Sequence, residues 1–190
     1  MLDKRRLSRV IEKMTTDCLL ITDPISIAYL CGKKIEPGER FLGLLIGKEI
    51  EPVLILNQLF RFSDELGIKI QYYKDTDRIT NIISRFIDKK SSLGVDKIMP
   101  ARFLIPMMEE KIASEFKLGS YAVDHTRAIK DACEQELMRA ASHINDLAMA
   151  EFKKLIHEGV TEVEVASQML GIYQRLGASG YSFEPIVAFG

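Results

Sequence analysis

Short β-rich apolar runs alternate with longer stretches of helical spacing over the first two thirds of this chain, and no other feature constrains its fold as tightly. Each strand in such a series must pair and each helix must bury a stripe. A sheet with helices packed on its faces satisfies both requirements at once. The opening helix carries Leu7, Val10, Ile11 and Met14 on one face. Cys18-Leu-Leu-Ile-Thr22 then reads as a buried strand closed by the turn signal Asp23-Pro24, and residues 26–30 make a short helical piece before Gly32. Residues 41–46 and 53–56 are strands joined through residues 47–52 as a hairpin. The spacing predicts a helical span over 58–66, a strand over 68–73 and a helix over 78–88 through Ile79, Ile82, Ile83, Phe86 and Ile87. A strand at 93–95 ends in Asp96, a helix over 100–116 has Pro100 near its start, and residues 121–124 close the set. The expected fold class is α/β, with a mixed sheet carrying helices on both faces over residues 1–126.

Residues 127–190 change character. Leu137, Ala140, Ala141, Ile144, Leu147, Ala148, Leu155 and Ile156 fall at three- and four-residue spacing, the stripe of one amphipathic helix that Gly159 stops. Thr161 followed by Glu164 is a capping box for a second helix, which carries Val165, Ala166, Met169, Leu170 and Tyr173 inward and ends at Gly177. Residues 182–189 read as a strand in which Pro185 argues for an edge or a strand start. Nothing after Gly190 pairs with that strand, so the chain is expected to stop in mid-architecture.

Lys and Arg number 26 against 27 Asp and Glu, so no net field favours nucleic acid. The longest apolar runs fall far short of the ~20 residues that span a bilayer, and the charged N-terminus is not a secretory leader. A cytoplasmic location is the expectation. Cys18, Cys31 and Cys133 are too scattered for a disulfide framework or a zinc site. His125, His143 and His157 show no metal-ligand spacing, and there is no glycine-rich phosphate loop or nucleophile elbow. One loop stands out, Gly32-Lys-Lys-Ile-Glu-Pro-Gly-Glu-Arg-Phe41, which is charge-rich, contains Pro37-Gly38 and should project into solvent. It reads either as an exposed connection or as a lid over a ligand.

Taken in order, several segments resemble the creatinase, prolidase and Xaa-Pro aminopeptidase family. They are Tyr29-Leu30-Cys31-Gly32, Arg127-Ala128-Ile129-Lys130 with Glu136-Leu137-Met138-Arg139-Ala140, and Gly159-Val-Thr-Glu162. Gly177-Ala178 and Ser182-Phe183, followed by Ile186-Val187-Ala188 and Gly190, complete the series. The resemblance implies an N-terminal creatinase-like domain over residues 1–126. Over residues 127–190 it implies a linker, two helices and a strand that begin an incomplete pita-bread metallopeptidase domain. Relatives of this kind hydrolyse the bond before proline with two divalent metals, manganese or cobalt, sharing one activated water. Their metal ligands lie beyond Gly190, so the resemblance implies no catalytic residue, no metal ligand and no cofactor in this chain, which alone is expected to be inactive.

The same resemblance makes Glu36, Gly38 and Arg40 substrate-facing elements of a mobile loop and places Phe183 near a hydrophobic substrate pocket. Phe189 stands where the family usually has serine. Uncovered apolar stripes on the last two helices point to self-association as a homodimer. The substrate expected for the parent is a proline-containing peptide, with neither nucleic acid nor membrane as a partner. Two other readings stay open: a non-catalytic peptidase-like protein-binding module, and an enzyme of the creatine amidinohydrolase type.

Overall fold

Period-two alternation along the central strands divides the apolar side chains between two layers, as a sheet covered on both faces requires. In this computed structural model, which describes residues 1–62 and 66–189, β1 (Cys18–Ile21) sends Leu19 and Ile21 into one layer and Cys18 and Leu20 into the other. The chain forms two units, Met1–Ile129 and Lys130–Gly190.

The first unit is built on a six-stranded sheet of order β4-β3-β2-β1-β5-β6, whose other strands are β2 (Leu42–Gly47), β3 (Val53–Asn57), β4 (Lys69–Tyr73), β5 (Ser92–Val95) and β6 (Glu115–Leu118). β2 lies antiparallel to β1 and β3, while β1 with β5, β3 with β4, and β5 with β6 are parallel. One face is covered by α1 (Lys4–Glu12), α2 (Pro24–Cys31) and α5 (Ser120–Ala128), through Leu7, Val10, Ile27, Leu30 and Val123. The other is covered by α3 (Ile79–Ile83) and α4 (Ala101–Glu109), through Ile82, Ile83 and Met107. The expected α/β architecture therefore forms, with helices on both faces of a mixed sheet.

The helix expected at 100–116 stops at Glu109, because Lys111 turns left-handed (φ 49°) and the next residues drop Ile112 and Ala113 into the core. Ser114 donates to the Ser91 carbonyl at 3.0 Å, and residues 115–118 become the edge strand β6. Residues 121–124 lie inside α5. The helical span expected at 58–66 is reduced to a 3₁₀ turn at Gln58–Phe60, and its residues 63–65 lie outside the described residues. The helix expected at 78–88 closes after Ile83 into successive turns.

The second unit pairs α6 (Ala132–Leu155) with α7 (Glu162–Arg175) around Ala148, Phe152 and Ile172. Asp131 and Glu134 box the start of α6, and Thr161 and Glu164 box that of α7. Ile156, expected on the helical stripe, already has extended backbone, so the helix ends before it and before His157. Residues 182–189 form no ladder, because a strand without a partner cannot satisfy its backbone groups and Pro185 removes one donor. No helix among the described residues is long and apolar enough to cross a membrane.

Candidate functional site

The loop that follows α2 is fixed at its ends and open at its tip. Gly32 closes the helix in the left-handed conformation (φ 70°), donating to the Ala28 carbonyl at 2.7 Å. Three residues on, Ile35 is buried in the core formed by α1 and α2, which anchors the chain midway. Lys34 and Glu36 then meet at 2.8 Å on an exposed surface, where such a pair adds little stability. Pro37 accepts from the Arg40 amide at 3.1 Å, closing a turn whose first central residue, Gly38, has φ 58°. A side chain at Gly38 would be strained by that backbone although the space around it is open.

Arg40 does not point freely into solvent. Its Nε and Nη2 donate to the two carboxylate oxygens of Asp75 at 2.9 Å each, the two-pronged geometry that suits a guanidinium. Asn57, buried at the end of β3, donates from Nδ2 to the same carboxylate at 2.7 Å, and its Oδ1 accepts from the Leu59 amide at 3.0 Å. Next to this clamp the Tyr73 hydroxyl donates to the Phe41 carbonyl at 2.8 Å. The hydrogen bonds from Arg40 hold the Asp75 carboxyl below its usual value of 3.8, and Asp75 in turn raises Arg40. The clamp thus ties the end of the loop to the turn after β4.

Under the turn lies a hollow of about 170 Å³, bordered by Gly38, Arg40 and Phe41 of the loop, Thr22 after β1, and Arg102 and Phe103 of α4. Its neighbour Asp96, at the end of β5, accepts hydrogen bonds from the Thr22 and Asp23 amides and from the Thr22 hydroxyl, joining the carboxyl ends of β1 and β5. Asp23 caps α2 by accepting from the Ile25 and Ser26 amides at 3.2 and 3.1 Å.

Gly38 and Arg40 therefore border one hollow, while Glu36 lies outside it on the exposed flank. Phe183, 76% exposed, borders a different hollow of about 820 Å³ within the second unit, together with Leu137, Ile144, Met169 and Tyr173. Sequence reasoning missed Asp75, Asn57 and the role of Asp96. The signal for Asp75 was a charged turn, Lys74 to Asp77, directly after a strand; nothing local ties it to Arg40, 35 residues earlier.

Among the described residues no group of three or more His, Cys, Asp or Glu side chains is placed to hold a metal ion. The described donors do not fit the metal pair that the resemblance implies.

Comparison with known proteins agrees with this architecture. A peptidase of Staphylococcus aureus strain USA300, itself uncharacterized, is 27% identical over 197 residues, covering 97% of this chain and 54% of the relative. Among solved structures, the dipeptidase PepE from Mycobacterium ulcerans superposes with a TM-score of 0.82 at 22% identity, covering 94% of this chain and 51% of that one. The prolidase from Pyrococcus horikoshii superposes at 0.76 with 23% identity, covering 93% and 50%. The chain thus spans about half the length of the relatives it matches. Residues 4–129 match the Creatinase/Prolidase N-terminal domain and residues 136–190 match Metallopeptidase family M24, so this chain belongs to the creatinase/prolidase family.

Proposed function

We propose that this chain is the substrate-gating and dimer-forming part of a cytoplasmic Xaa-Pro metallopeptidase, one that hydrolyses the amide bond before proline in short peptides. The observation that carries the reading is the ordered pair of family matches along one chain, a creatinase-type domain followed by M24 sequence. The loop over residues 32–41 supports the gating role. It is anchored through Ile35 and the Arg40 clamp, leaving Gly38 at an exposed tip and Glu36, in a solvent-exposed pair with Lys34, on its flank where a substrate can reach them. The exposed apolar side chains Leu137, Val163, Phe183 and Ile186 of the second unit support self-association as a homodimer.

Two divalent metals, manganese or cobalt, would supply the activated water in the complete catalytic assembly. The part proposed for this chain is positional: Arg40, held by Asp75, fixes the posture of the substrate-facing loop, Glu36 meets a charged end of the peptide, and Phe183 contributes an apolar wall.

The test is to express the complete product of the gene and assay Ala-Pro, Leu-Pro and Ala-Leu with manganese and with cobalt. Cleavage of the two proline substrates and not of Ala-Leu is the expected result. Cleavage of none of them, or of creatine instead, would reject it, and light scattering that shows only a monomer at micromolar concentration would remove the dimer.

A further inference from the structure

The sheet of the first unit contains a switch point whose crevice lies beside the 32–41 loop. β1 and β5 are parallel neighbours, yet the chain leaves their carboxyl ends toward opposite faces. From β1 it enters α2, which packs Ile27 and Leu30 on one face, and from β5 it enters α4, which packs Met107 on the other. In open α/β sheets this divergence opens a crevice beyond the strand ends, and ligands settle there. The hollow of about 170 Å³ occupies this place, since Thr22 and Pro24 follow β1, and Ile98 and Pro100 lead into α4.

Its lining combines an apolar surface with two charges of opposite sign, Arg102 and Glu39. Phe41 and Phe103 meet edge to face with centroids 5.1 Å apart, and Pro37 and Pro100 extend the apolar wall. Arg40 is matched by Asp75, but Arg102 and Glu39, which border the same hollow, form no ion pair among the described residues. The Arg102 guanidinium lies 4.7 Å from the Phe103 ring centroid, held against the apolar wall.

Arg102 also breaks a local rule. It stands in the first turn of α4, where the helix dipole disfavours a cation, and that turn has neither a side-chain cap nor an acidic residue. Such a local conflict within a consistent fold points to a place shaped by more than stability. At the β1 end of the crevice the backbone donors are already taken by Asp96, so an incoming anion finds its partners at the α4 end.

We propose that this hollow binds a free amino acid with an apolar side chain, its carboxylate on Arg102, its ammonium on Glu39 and its side chain against Phe103 and the prolines. The hollow, of about 170 Å³, has room for one amino acid. This site stands whether or not the peptidase reading holds, because none of its argument uses a reaction.

The experiment is a two-dimensional amide NMR titration of the 190-residue chain with L-proline and L-leucine. The expected result is saturable shifts confined to amides near residues 37–41 and 98–104. Affinity should fall about tenfold, the effect of one lost charge-assisted hydrogen bond, in Arg102→Gln and in Glu39→Gln. Both substitutions are at exposed positions, and their unliganded spectra check that the fold is retained. Prolinamide, which lacks the carboxylate, and N-acetylproline, which lacks the ammonium, should bind the wild-type chain weaker by a similar factor. Absence of saturable shifts with either amino acid overturns the proposal, as do shifts spread over the whole surface or affinities unchanged by both variants and both analogues.

Discussion

Asp75 is the residue on which the posture of the 32–41 loop depends, since it receives both prongs of Arg40 and the amide of Asn57. Its carboxyl titrates below 3.8 in the folded chain, chiefly because Arg40 hydrogen-bonds to the charged form. A depressed folded value means the stabilisation is fully present above the unfolded value and is lost as pH falls through the folded one. The loop is therefore expected to stay ordered at neutral pH and to loosen only below the usual 3.8. Asp75→Asn should reproduce that loosening at neutral pH, read as faster hydrogen exchange at residues 38–41; unchanged exchange in the variant would show that the clamp does not hold the loop. Burial governs the cysteines in a similarly local way. It pushes the Cys18 and Cys31 thiols up to about 11, while Cys133 is exposed at the start of α6. A chromogenic disulfide reagent at pH 8 should therefore titrate one thiol in the native chain and the other two only after unfolding.

Elements whose ends are written in local chemistry were legible. The capping pair Thr161 and Glu164 marked α7 correctly, and Gly32 marked the end of α2, because a cap is an interaction between residues a few positions apart. The β2–β3 hairpin was legible for the same reason. Residues 100–116 were not, because helical spacing runs on through a point where long-range pairing with β5 wins and draws residues 115–118 into the sheet. The tail at 182–189 showed the converse, strand-forming residues without a neighbouring strand to pair with. At the site, the exposed loop was visible in sequence, but its clamp was not, since Arg40 and Asp75 meet only once β2, β3 and β4 are laid side by side. Because the α7 cap is local, Thr161→Ala should cost about 1 kcal/mol, seen as a lower thermal midpoint and reduced helicity of the second unit. An unchanged midpoint would mean that Glu164 alone suffices. Gly119 illustrates the opposite, non-local dependence: a Cβ there would sit 2.5 Å from the Leu19 side chain and 3.2 Å from the Gly94 Cα. Gly119→Ala is accordingly expected to destabilise the first unit by about 1–3 kcal/mol, measured by denaturant unfolding.

At the scale of the molecule, the first unit is a complete layered domain with cores on both faces of its sheet, whereas the second rests on a small core around Ala148, Phe152 and Ile172. Several large apolar side chains of the second unit remain exposed. The most direct measurement is to incubate the purified 190-residue chain with manganese, desalt it, and determine bound metal by elemental analysis alongside Ala-Pro hydrolysis on the same sample. The account predicts less than one ion retained per chain and no hydrolysis; two ions held per chain together with proline dipeptide cleavage would contradict it.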